Sequence, residues 1–348
     1  MSIAINEIIS LQQKIVPDLL EVLLLRYKIL QTICFRQPIG RRSISEYVET
    51  GERIVRREVY FLRDVGLVKI EPQGVIVTQV GEEVMWALQE FISSLQKLPN
   101  YQVELERRLG LGRVIIIPGD CEHDELVFMS MGKILGKILN GTLKDGDILA
   151  VTGGTTLSQL TPFLGNYKKK VLVVPAQGGL GEKVDIQANA LAATIAERLG
   201  AKYRLLHVSD DLERKSMALI MEQQPLIRET IALIKRADVL VKGIGDAYQM
   251  AKRRRFSNEE VQNLISKKAV GEALGCFFDI SGRIVHNRSI GIDLDDLDNI
   301  GTIIAIAGGA EKAKAILAVL ESKKQHMLIT DSAAAKEMLR LLDTEYKA

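Results

Sequence analysis

The feature that most constrains this fold is an alternation of short β-rich runs and helical segments after residue 112. About a dozen or more residues with helical spacing of apolar side chains separate most of the runs. Strands that alternate with helices form βαβ units, which predicts an α/β domain with a parallel sheet. The predicted strands cover residues 114–117, 147–151, 170–174, 204–208, 239–241, 302–306 and 327–329. Residues 276–278 and 283–285 predict an antiparallel hairpin added to that sheet.

The first part of the chain has a different pattern. It predicts a helix over 17–35, a short helix over 42–48, a turn at Glu49-Thr50-Gly51 and a third helix over roughly 52–65. Two alternating runs around Pro72-Gln73-Gly74 indicate a hairpin, and a further helix follows at about 79–96. Helix, turn, helix and hairpin in this order predict a winged helix-turn-helix.

Positive charge is concentrated in this first part. Residues 26–69 contain ten Lys/Arg and five Asp/Glu, a net charge of +5 in a chain whose total is +2. On the third helix Arg53, Arg56, Arg57 and Tyr60 share one face, opposite Val55, Val59 and Leu62. A helix with such a face fits the major groove of DNA, where a guanidinium can donate two hydrogen bonds to guanine or to a phosphate.

Other cations extend this predicted DNA-binding surface. Arg41 and Arg42 precede the second helix, near the expected phosphate backbone, and Lys69 begins the wing. The alternative is a solvated charged face without a partner. Because the charged face lies on a helix-turn-helix within a basic part of the chain, we favour double-stranded operator DNA as its binding partner. Glu52 and Glu58 are expected to pair with neighbouring arginines.

Four predicted strand-to-helix loops of the second domain are rich in glycine. Glycine lets backbone N–H groups approach a ligand, and the start of the following helix favours an anion. In an open parallel sheet such loops gather at the carboxyl ends of the strands, which suits a ligand with phosphate groups. Turn geometry alone is the alternative reason for each glycine. The loops are 152–156, 177–182, 243–246 and 308–312.

Several classes of protein are disfavoured. Residues 243–248 fail the third position of G-x-G-x-x-G/A, and no G-x-x-x-x-G-K-[S/T] occurs, so neither NAD nor ATP is expected and no cofactor is predicted. Three distant cysteines without C-x-x-C spacing argue against disulfides and zinc. Without a secretory signal or an apolar run of about 18–20 residues, we expect a cytoplasmic protein without a membrane partner.

In order along the chain, the motifs TGGTT at 152–156, PAQGGLGE at 175–182, GIGDA at 243–247 and AIAGG at 305–309 stand behind the predicted winged helix. This combination resembles the SorC/DeoR-type sugar-responsive transcriptional repressors over nearly the whole chain. The resemblance implies a repressor of glycolytic, central carbon genes whose C-terminal domain has a phosphosugar-isomerase-like fold. It also implies an effector such as fructose 1,6-bisphosphate, which weakens the grip of a dimer or tetramer on its operator.

The resemblance also assigns effector-binding residues. It places Thr152, Gly154, Thr155 and Thr156 at one phosphate and Gly178, Gly179, Leu180 and Gln187 on the sugar side. Arg253 and Lys312 would supply positive charge, and Glu272 would accept hydrogen bonds from sugar hydroxyls. Arg253 could instead be one solvated cation of a basic run, and Glu272 could simply pair with a cation. Gln177 stands where the similar regulators carry arginine, which leaves open a weaker effector or a different phosphosugar.

On this interpretation residues 1–100 form the DNA-binding domain with a linker helix, and residues 101–348 form the effector-binding and oligomerisation domain. A charged stretch, 103–108, leads to Leu109-Gly110-Leu111-Gly112, which we interpret as the boundary between the domains because short β-rich runs recur after it.

The main alternative is a phosphosugar isomerase or deaminase with an appended DNA-binding domain. Asp246 and Glu182 lie in the glycine-rich loops and keep this alternative open. However, His123, His207, His286 and His326 lie outside those loops and form no metal-binding pattern, so we predict no catalytic residue and no metal. A second alternative is a regulator that responds to a protein partner instead of a ligand.

Overall fold

The computed structural model describes residues 15, 17–180, 183–210, 214–288, 290–322 and 325–344. The chain divides into two compact units, residues 1–99 and residues 100–348, and each is described by itself. No helix in the described part of the chain combines the length and apolar character needed to span a lipid bilayer.

The N-terminal unit is a helical domain with a two-stranded antiparallel wing. Its elements are α1 (Pro17–Arg36), α2 (Arg41–Val48), α3 (Glu52–Asp64), β1 (Val68–Glu71), β2 (Gly74–Val77) and α4 (Gln79–Leu95). The wing pairs Val68 with Val77 and Glu71 with Gly74. Ile29, Ile33, Ile44, Val55 and Val59 are fully buried and join the helices in one apolar core. The predicted winged helix-turn-helix is therefore present, with boundaries within a few residues of those expected.

The C-terminal unit is a three-layer α/β domain that begins within α5. Its elements up to the middle of the sheet are α5 (Leu98–Leu109), β3 (Arg113–Ile117), α6 (Glu125–Thr142), β4 (Ile148–Val151), α7 (Thr155–Leu160), β5 (Leu172–Pro175), α8 (Ala188–Leu199), β6 (Lys202–Tyr203), α9 (Arg214–Gln223), α10 (Pro225–Ile234) and β7 (Val239–Gly243). They are followed by β8 (Gly245–Asp246), α11 (Ala247–Arg253), α12 (Asn258–Ser266), β9 (Ala269–Ala273), β10 (Cys276–Asp279), β11 (Ile284–Asn287), β12 (Thr302–Ile306), α13 (Ala313–Glu321), β13 (Met327–Asp331) and α14 (Ser332–Thr344).

Seven parallel strands form the main sheet in the order β3-β13-β12-β7-β4-β5-β6. Leu149 and Val151 pack into one apolar core, whereas Ala150 between them packs into the core on the opposite face. This two-residue alternation, buried on both sides, is typical of a sheet covered by helices on both faces. The α/β fold class predicted from the sequence is confirmed.

The neighbouring strands β4 and β7 mark the point where the direction in which successive strands are added to the sheet changes. From β4 the chain continues outwards to β5 and β6, and from β7 it continues to β12 and β13 on the other side. In open parallel sheets a crevice forms beyond the carboxyl ends of the two strands at such a switch point. The fold therefore designates the loops after Val151 and Gly243 as the place for a ligand.

The predicted strand at 204–208 is wrong. The edge strand β6 is only Lys202–Tyr203, and residues 204–207 have no regular structure. Leu206 and Val208 are buried, which produced the strand-like alternation. However, the side-chain amide of Asn189 donates to the Leu206 carbonyl at 2.9 Å and accepts from its N–H at 3.0 Å, so no neighbouring strand is needed.

The predicted hairpin also belongs elsewhere. Its strands β10 and β11 are antiparallel, as expected, but they lie in a separate four-stranded sheet of order β11-β10-β9-β8. The strand β9, which the sequence did not reveal, pairs with the second edge of β10, so both edges of β10 are paired within this small sheet. Phe256 and Phe277 pack beneath this small sheet with ring centroids 5.3 Å apart.

The charged stretch 103–108 is helical. It belongs to α5, in which Leu105 is fully buried. Gln102 donates to the Val114 carbonyl at 2.8 Å, and Arg108 pairs with Asp343 at 2.7 Å. These contacts tie the stretch to the C-terminal unit, and the two units divide between Pro99 and Asn100.

Candidate functional site

A crevice of about 210 Å³ lies beyond the carboxyl ends of β4 and β7. The loops that follow these strands form its floor, and the first turns of α7 and α11 form parts of its walls. We refer to this space as the crevice. It is lined by Thr152, Gly153, Gly154, Thr155, Thr156, Leu157, Gln177, Leu180, Ile186, Gly243, Ile244, Gly245, Asp246, Gln249, Met250, Arg253, Glu272, Leu274 and Lys312.

The two central loops are joined by a hydrogen bond. The hydroxyl oxygen of Thr152 accepts from the N–H of Gly243 at 3.0 Å, and the hydroxyl proton of Thr152 remains available for another acceptor. Gly154 has φ 127°, a conformation that favours glycine, and it is the residue before α7. The turn brings the hydroxyl-bearing residues Thr155 and Thr156 to the crevice.

Two cations line the crevice from different elements. Arg253 is the last residue of α11 and also lines an adjoining open depression that includes Lys183. Lys312 ends a 3-10 turn, Ala310–Lys312, whose preceding residue Gly309 donates its N–H to Asp331 Oδ2 at 2.8 Å. Buried Asp331 thus holds the loop that carries Lys312. Arg253 and Lys312 thus place two cations at the crevice, where they can pair with an anionic ligand.

The two carboxylates of the crevice already have protein partners. Asp246 Oδ1 accepts from the N–H of Gln249 at 2.9 Å, which caps α11. Glu272 Oε1 accepts from Arg254 Nη2 at 3.1 Å and from the N–H of Gly275 at 2.7 Å. In each carboxylate the other oxygen, Asp246 Oδ2 or Glu272 Oε2, can still accept a hydrogen bond.

Only some residues of the loop after β5 line the crevice. Of its predicted residues Leu180 lines the crevice, whereas Gly178 and Gln187 line a small adjoining cavity and Gly179 lines neither space. The N–H of Gly178 donates to the Ile290 carbonyl at 2.9 Å, and the N–H of Gly179 donates to the Val208 carbonyl at 2.8 Å. These two amides therefore hold the loop instead of facing an anion. Gly181 and Glu182 lie outside the described residues.

The structure brings together most of the residues assigned from the sequence. Thr152, Gly154, Thr155, Thr156, Leu180, Arg253, Glu272 and Lys312 all line the crevice. Gln249, Met250 and Leu274 line it as well but were not singled out. Gln249 and Met250 lie in the first helical turns after the GIGDA loop. Their position next to this loop could have indicated that they line the crevice. Leu274 follows a strand that the sequence did not reveal, so it left no signal.

The predicted DNA-contacting residues are placed on one surface of α3. Arg53, Arg56, Arg57 and Tyr60, which we call the recognition face, are exposed. Val55, Val59 and Leu62 on the opposite side are buried. The Tyr60 hydroxyl accepts from Arg41 Nη1 at 2.9 Å. Arg42 and Lys69 are exposed on α2 and β1.

Two glutamates organise these arginines, as the sequence indicated. Glu52 pairs with Arg56 at 3.3 Å on the surface. Buried Glu58 accepts from Arg26 Nε and from Arg57 Nε, both at 2.7 Å. The Arg57 side chain is still 72% exposed, so its terminal nitrogens remain at the surface. Arg26, which the sequence had not assigned, also lies 3.6 Å from the centroid of the Phe61 ring.

Potential metal ligands occur outside the lining of the crevice, beside the turn at Gly309. Oxygen and nitrogen atoms of Asp120, Glu122 and His123 lie within 4.8 Å of one another, and His123 Nδ1 lies 3.0 Å from Asp120 Oδ2. None of the four histidines lines the crevice. His326 has a structural role, because its Nδ1 accepts from the N–H of Ile303 at 2.9 Å.

Two family models together account for almost the whole chain. The model described as "CggR N-terminal DNA binding domain" matches residues 22–92, and the model described as "Putative sugar-binding domain" matches residues 93–340. The chain therefore belongs to the SorC-type family of DNA-binding transcriptional regulators with a sugar-binding domain. The resemblance inferred from the sequence motifs is confirmed, and the members compared with the chain are regulators, not enzymes.

Two regulators that share one name are similar to almost the whole chain. It is 39% identical to the Central glycolytic genes regulator of Bacillus subtilis over 338 residues, which cover 96% of this chain and 99% of that protein. The Central glycolytic genes regulator of Priestia megaterium is 40% identical over 339 residues, with the same coverage of 96% and 99%. A crystal structure of a transcriptional regulator from Enterococcus faecalis, assigned to the SorC family, is 39% identical. It superposes with a TM-score of 0.65 over 69% of this chain and 99% of that one.

Proposed function

We propose that this chain represses glycolytic genes and releases its operator when a phosphorylated sugar binds in the crevice. The name of the two regulators that are 39–40% identical to it supports the class of target genes. The observation that carries the choice of ligand is the crevice itself. It combines the hydroxyls of Thr152, Thr155 and Thr156 with the cations Arg253 and Lys312.

The composition of the crevice fits a sugar that carries phosphate. The threonine hydroxyls can donate hydrogen bonds to a phosphate group, and the cations Arg253 and Lys312 can neutralise its charge. Glu272, with one oxygen not engaged by Arg254 or Gly275, supplies an acceptor for a sugar hydroxyl. Fructose 1,6-bisphosphate is the proposed effector, and a related phosphosugar is the alternative because Gln177 provides no charge at this wall.

We infer that operator binding requires an oligomer of this chain, a dimer or a tetramer. Helix-turn-helix proteins bind two half-sites about one helical turn apart, so the spacing of paired recognition helices decides whether both reach the duplex. Effector binding would change contacts between C-terminal units and thereby change this spacing. Such a repressor acts on DNA in the cytoplasm. Sedimentation of the chain with and without fructose 1,6-bisphosphate measures its state of association.

The central experiment is a titration of the operator complex with fructose 1,6-bisphosphate, followed by fluorescence anisotropy of labelled DNA. Operator release is expected at micromolar to low millimolar ligand, whereas unphosphorylated fructose should have no effect. Lys312→Met should raise the ligand concentration needed by at least about tenfold, since a charge-assisted contact is worth roughly 1.5–3 kcal/mol. Lys336→Met, at an exposed lysine outside the crevice, is the matched control. Retention of the operator with every phosphosugar tested would overturn the proposal.

A further inference from the structure

A buried group of charges lies directly behind the crevice. Arg254 follows the crevice residue Arg253, but its side chain is only 2% exposed. Its Nη1 donates to Asp210 Oδ2 at 2.5 Å, and its Nη2 donates to Glu272 Oε1 at 3.1 Å. The three residues come from the segment after β6, the end of α11 and β9, so one guanidinium joins three separate parts of the domain.

The first branch of this group supports the wall formed by residues 177–180. Asp210 Oδ1 accepts from the N–H of Ile290 at 2.8 Å, and the Asp210 N–H donates to the Gly179 carbonyl at 2.8 Å. The Ile290 carbonyl in turn accepts from the Gly178 N–H. A Cβ on Gly178 would lie 2.8 Å from the Val208 carbonyl oxygen and 3.0 Å from the Asp210 nitrogen, so the turn packs closely against this backbone. Asp210 is thus joined to this wall directly by its backbone N–H and, through Ile290, by its carboxylate.

The second branch sets the orientation of Glu272. Arg254 and the N–H of Gly275 share the same carboxylate oxygen, Oε1. The other oxygen, Oε2, lies on the side of Gly245, where a Cβ would be 3.6 Å from it. Both Glu272 and Gly245 line the crevice. One oxygen is therefore held by the protein while the other is presented beside the ligand space.

The buried ion pairs of Arg254 are better explained by the positions that they give to side chains than by a gain in stability. Removing charges from water is costly, so a buried ion pair adds little net stability compared with packed apolar side chains. A planar guanidinium can reach two carboxylates in fixed directions, which a point charge such as lysine cannot do. Arg254 also donates to the Arg288 carbonyl at 3.2 Å, next to the segment that carries Ile290.

We propose that Arg254 is a positioning residue that holds two walls of the crevice, residues 177–180 and Glu272, in the arrangement that binds the effector. This inference rests on the proposed phosphosugar function. Arg254 itself does not line the crevice, so it acts through Asp210 and Glu272.

The experiment compares Arg254→Lys with Arg255→Lys, which changes the exposed neighbouring arginine in the same way. Calorimetric titration of the full chain with fructose 1,6-bisphosphate should show at least about tenfold weaker binding for Arg254→Lys and unchanged binding for Arg255→Lys. Operator affinity without ligand should stay within about twofold of the wild type for both variants, because the buried positive charge is kept. A purely structural role would instead weaken operator affinity and ligand affinity together.

A double variant tests whether Arg254 acts through Glu272. If it does, Arg254→Lys should weaken binding less in a Glu272→Gln background than in the wild type, because coupled residues are not additive. Asp210→Asn keeps the side-chain shape and supplies the same test for the first branch should Arg254→Lys fail to fold. Unchanged ligand affinity in Arg254→Lys, or in Asp210→Asn if that variant replaces it, would refute the positioning role. Failure of the wild type to bind any phosphosugar would instead refute the proposed function.

Discussion

Replacing Lys242 by methionine should make the protein more stable. Lys242 lies in β7, immediately before the crevice residue Gly243, and is 1% exposed. Its burial lowers the pKa of its ammonium group from 10.5 to about 8, although Cys276 and Glu272 act to raise it. Methionine has a similar length and no charge, so Lys242→Met removes the charge while filling most of the same volume.

The size of the effect follows from the two pKa values. Each tenfold change in proton affinity is worth about 1.4 kcal/mol, so the lowered pKa of Lys242 corresponds to about 3 kcal/mol of cost to the charged folded state. Lys242→Met should therefore stabilise the protein by up to about 3 kcal/mol near pH 7, in the range found when buried ions are replaced by apolar side chains.

The stabilisation should depend on pH in a defined direction. Between about pH 8 and pH 10.5 the unfolded chain keeps the lysine proton while the folded chain has released it. The unfolded state then binds more protons, so the stability of the wild type rises with pH across this window. Below pH 8 both states are protonated and the full cost is present. The advantage of Lys242→Met should therefore be largest below pH 8 and shrink towards pH 10.5.

The measurement is calorimetric unfolding of the full chain at about pH 7 and about pH 10, following the transition of the C-terminal unit. A gain of about 3 kcal/mol corresponds to roughly 6–12 °C in Tm for a domain of about 150–250 residues. Lys202→Met, at an exposed lysine of β6, is the control and should change stability by less than about 0.5 kcal/mol. A less stable Lys242→Met variant, or an advantage that does not change with pH, would show that the charge of Lys242 is compensated in the folded protein.

Four other substitutions test the two functional surfaces and the buried carboxylate of Glu58. Arg56→Ala and Arg57→Ala should each weaken operator binding by about 1–3 kcal/mol and relax base specificity; unchanged affinity in quantitative gel shifts of both variants would exclude α3 as the reader. Gln177→Arg adds a cation to the crevice wall and should strengthen fructose 1,6-bisphosphate binding by about 1–2 kcal/mol in calorimetric titration, and equal or weaker binding would argue against a phosphate at this wall. Burial raises the pKa of Glu58, but hydrogen bonds and charges of Arg26 and Arg57 lower it more, so the net pKa is below 4.5. The stability that this carboxylate provides is present above about pH 4.5 and lost as the pH falls further. Glu58→Gln should flatten the acid part of the stability profile followed by circular dichroism, and an unchanged profile would contradict this.

The winged helix-turn-helix was predictable almost completely because its signals are local. Apolar spacing marks the buried sides of α1 and α3, Glu49-Thr50-Gly51 marks the turn, and Pro72-Gln73-Gly74 marks the wing. Each of these features depends on residues a few positions apart. The same holds for the glycine-rich loops after β4 and β7, whose residues could be recognised without knowledge of the strand order.

The predictions that failed concern pairing between distant segments. Residues 204–208 have the alternation of a strand, but the amide of Asn189 satisfies the backbone of Leu206 in place of a strand. The hairpin of β10 and β11 was recognised, yet its sheet was not, because β9 carries little strand signal of its own. The spacing of apolar residues indicates which side of a segment is buried, but it does not indicate which other segment packs against that side.

The sequence by itself determined the two classes of domain, the recognition face and the loops that could hold an anion, since these depend on local periodicity and on the conformational freedom of glycine. Only the tertiary structure decided which loops share the crevice and which of their amides are already bonded. It also decided that Arg254 meets Asp210 and Glu272 behind the wall, 44 and 18 residues away along the chain. The physical reason is that strand order and long-range ion pairs depend on the packing of the whole domain, which no short stretch of sequence encodes.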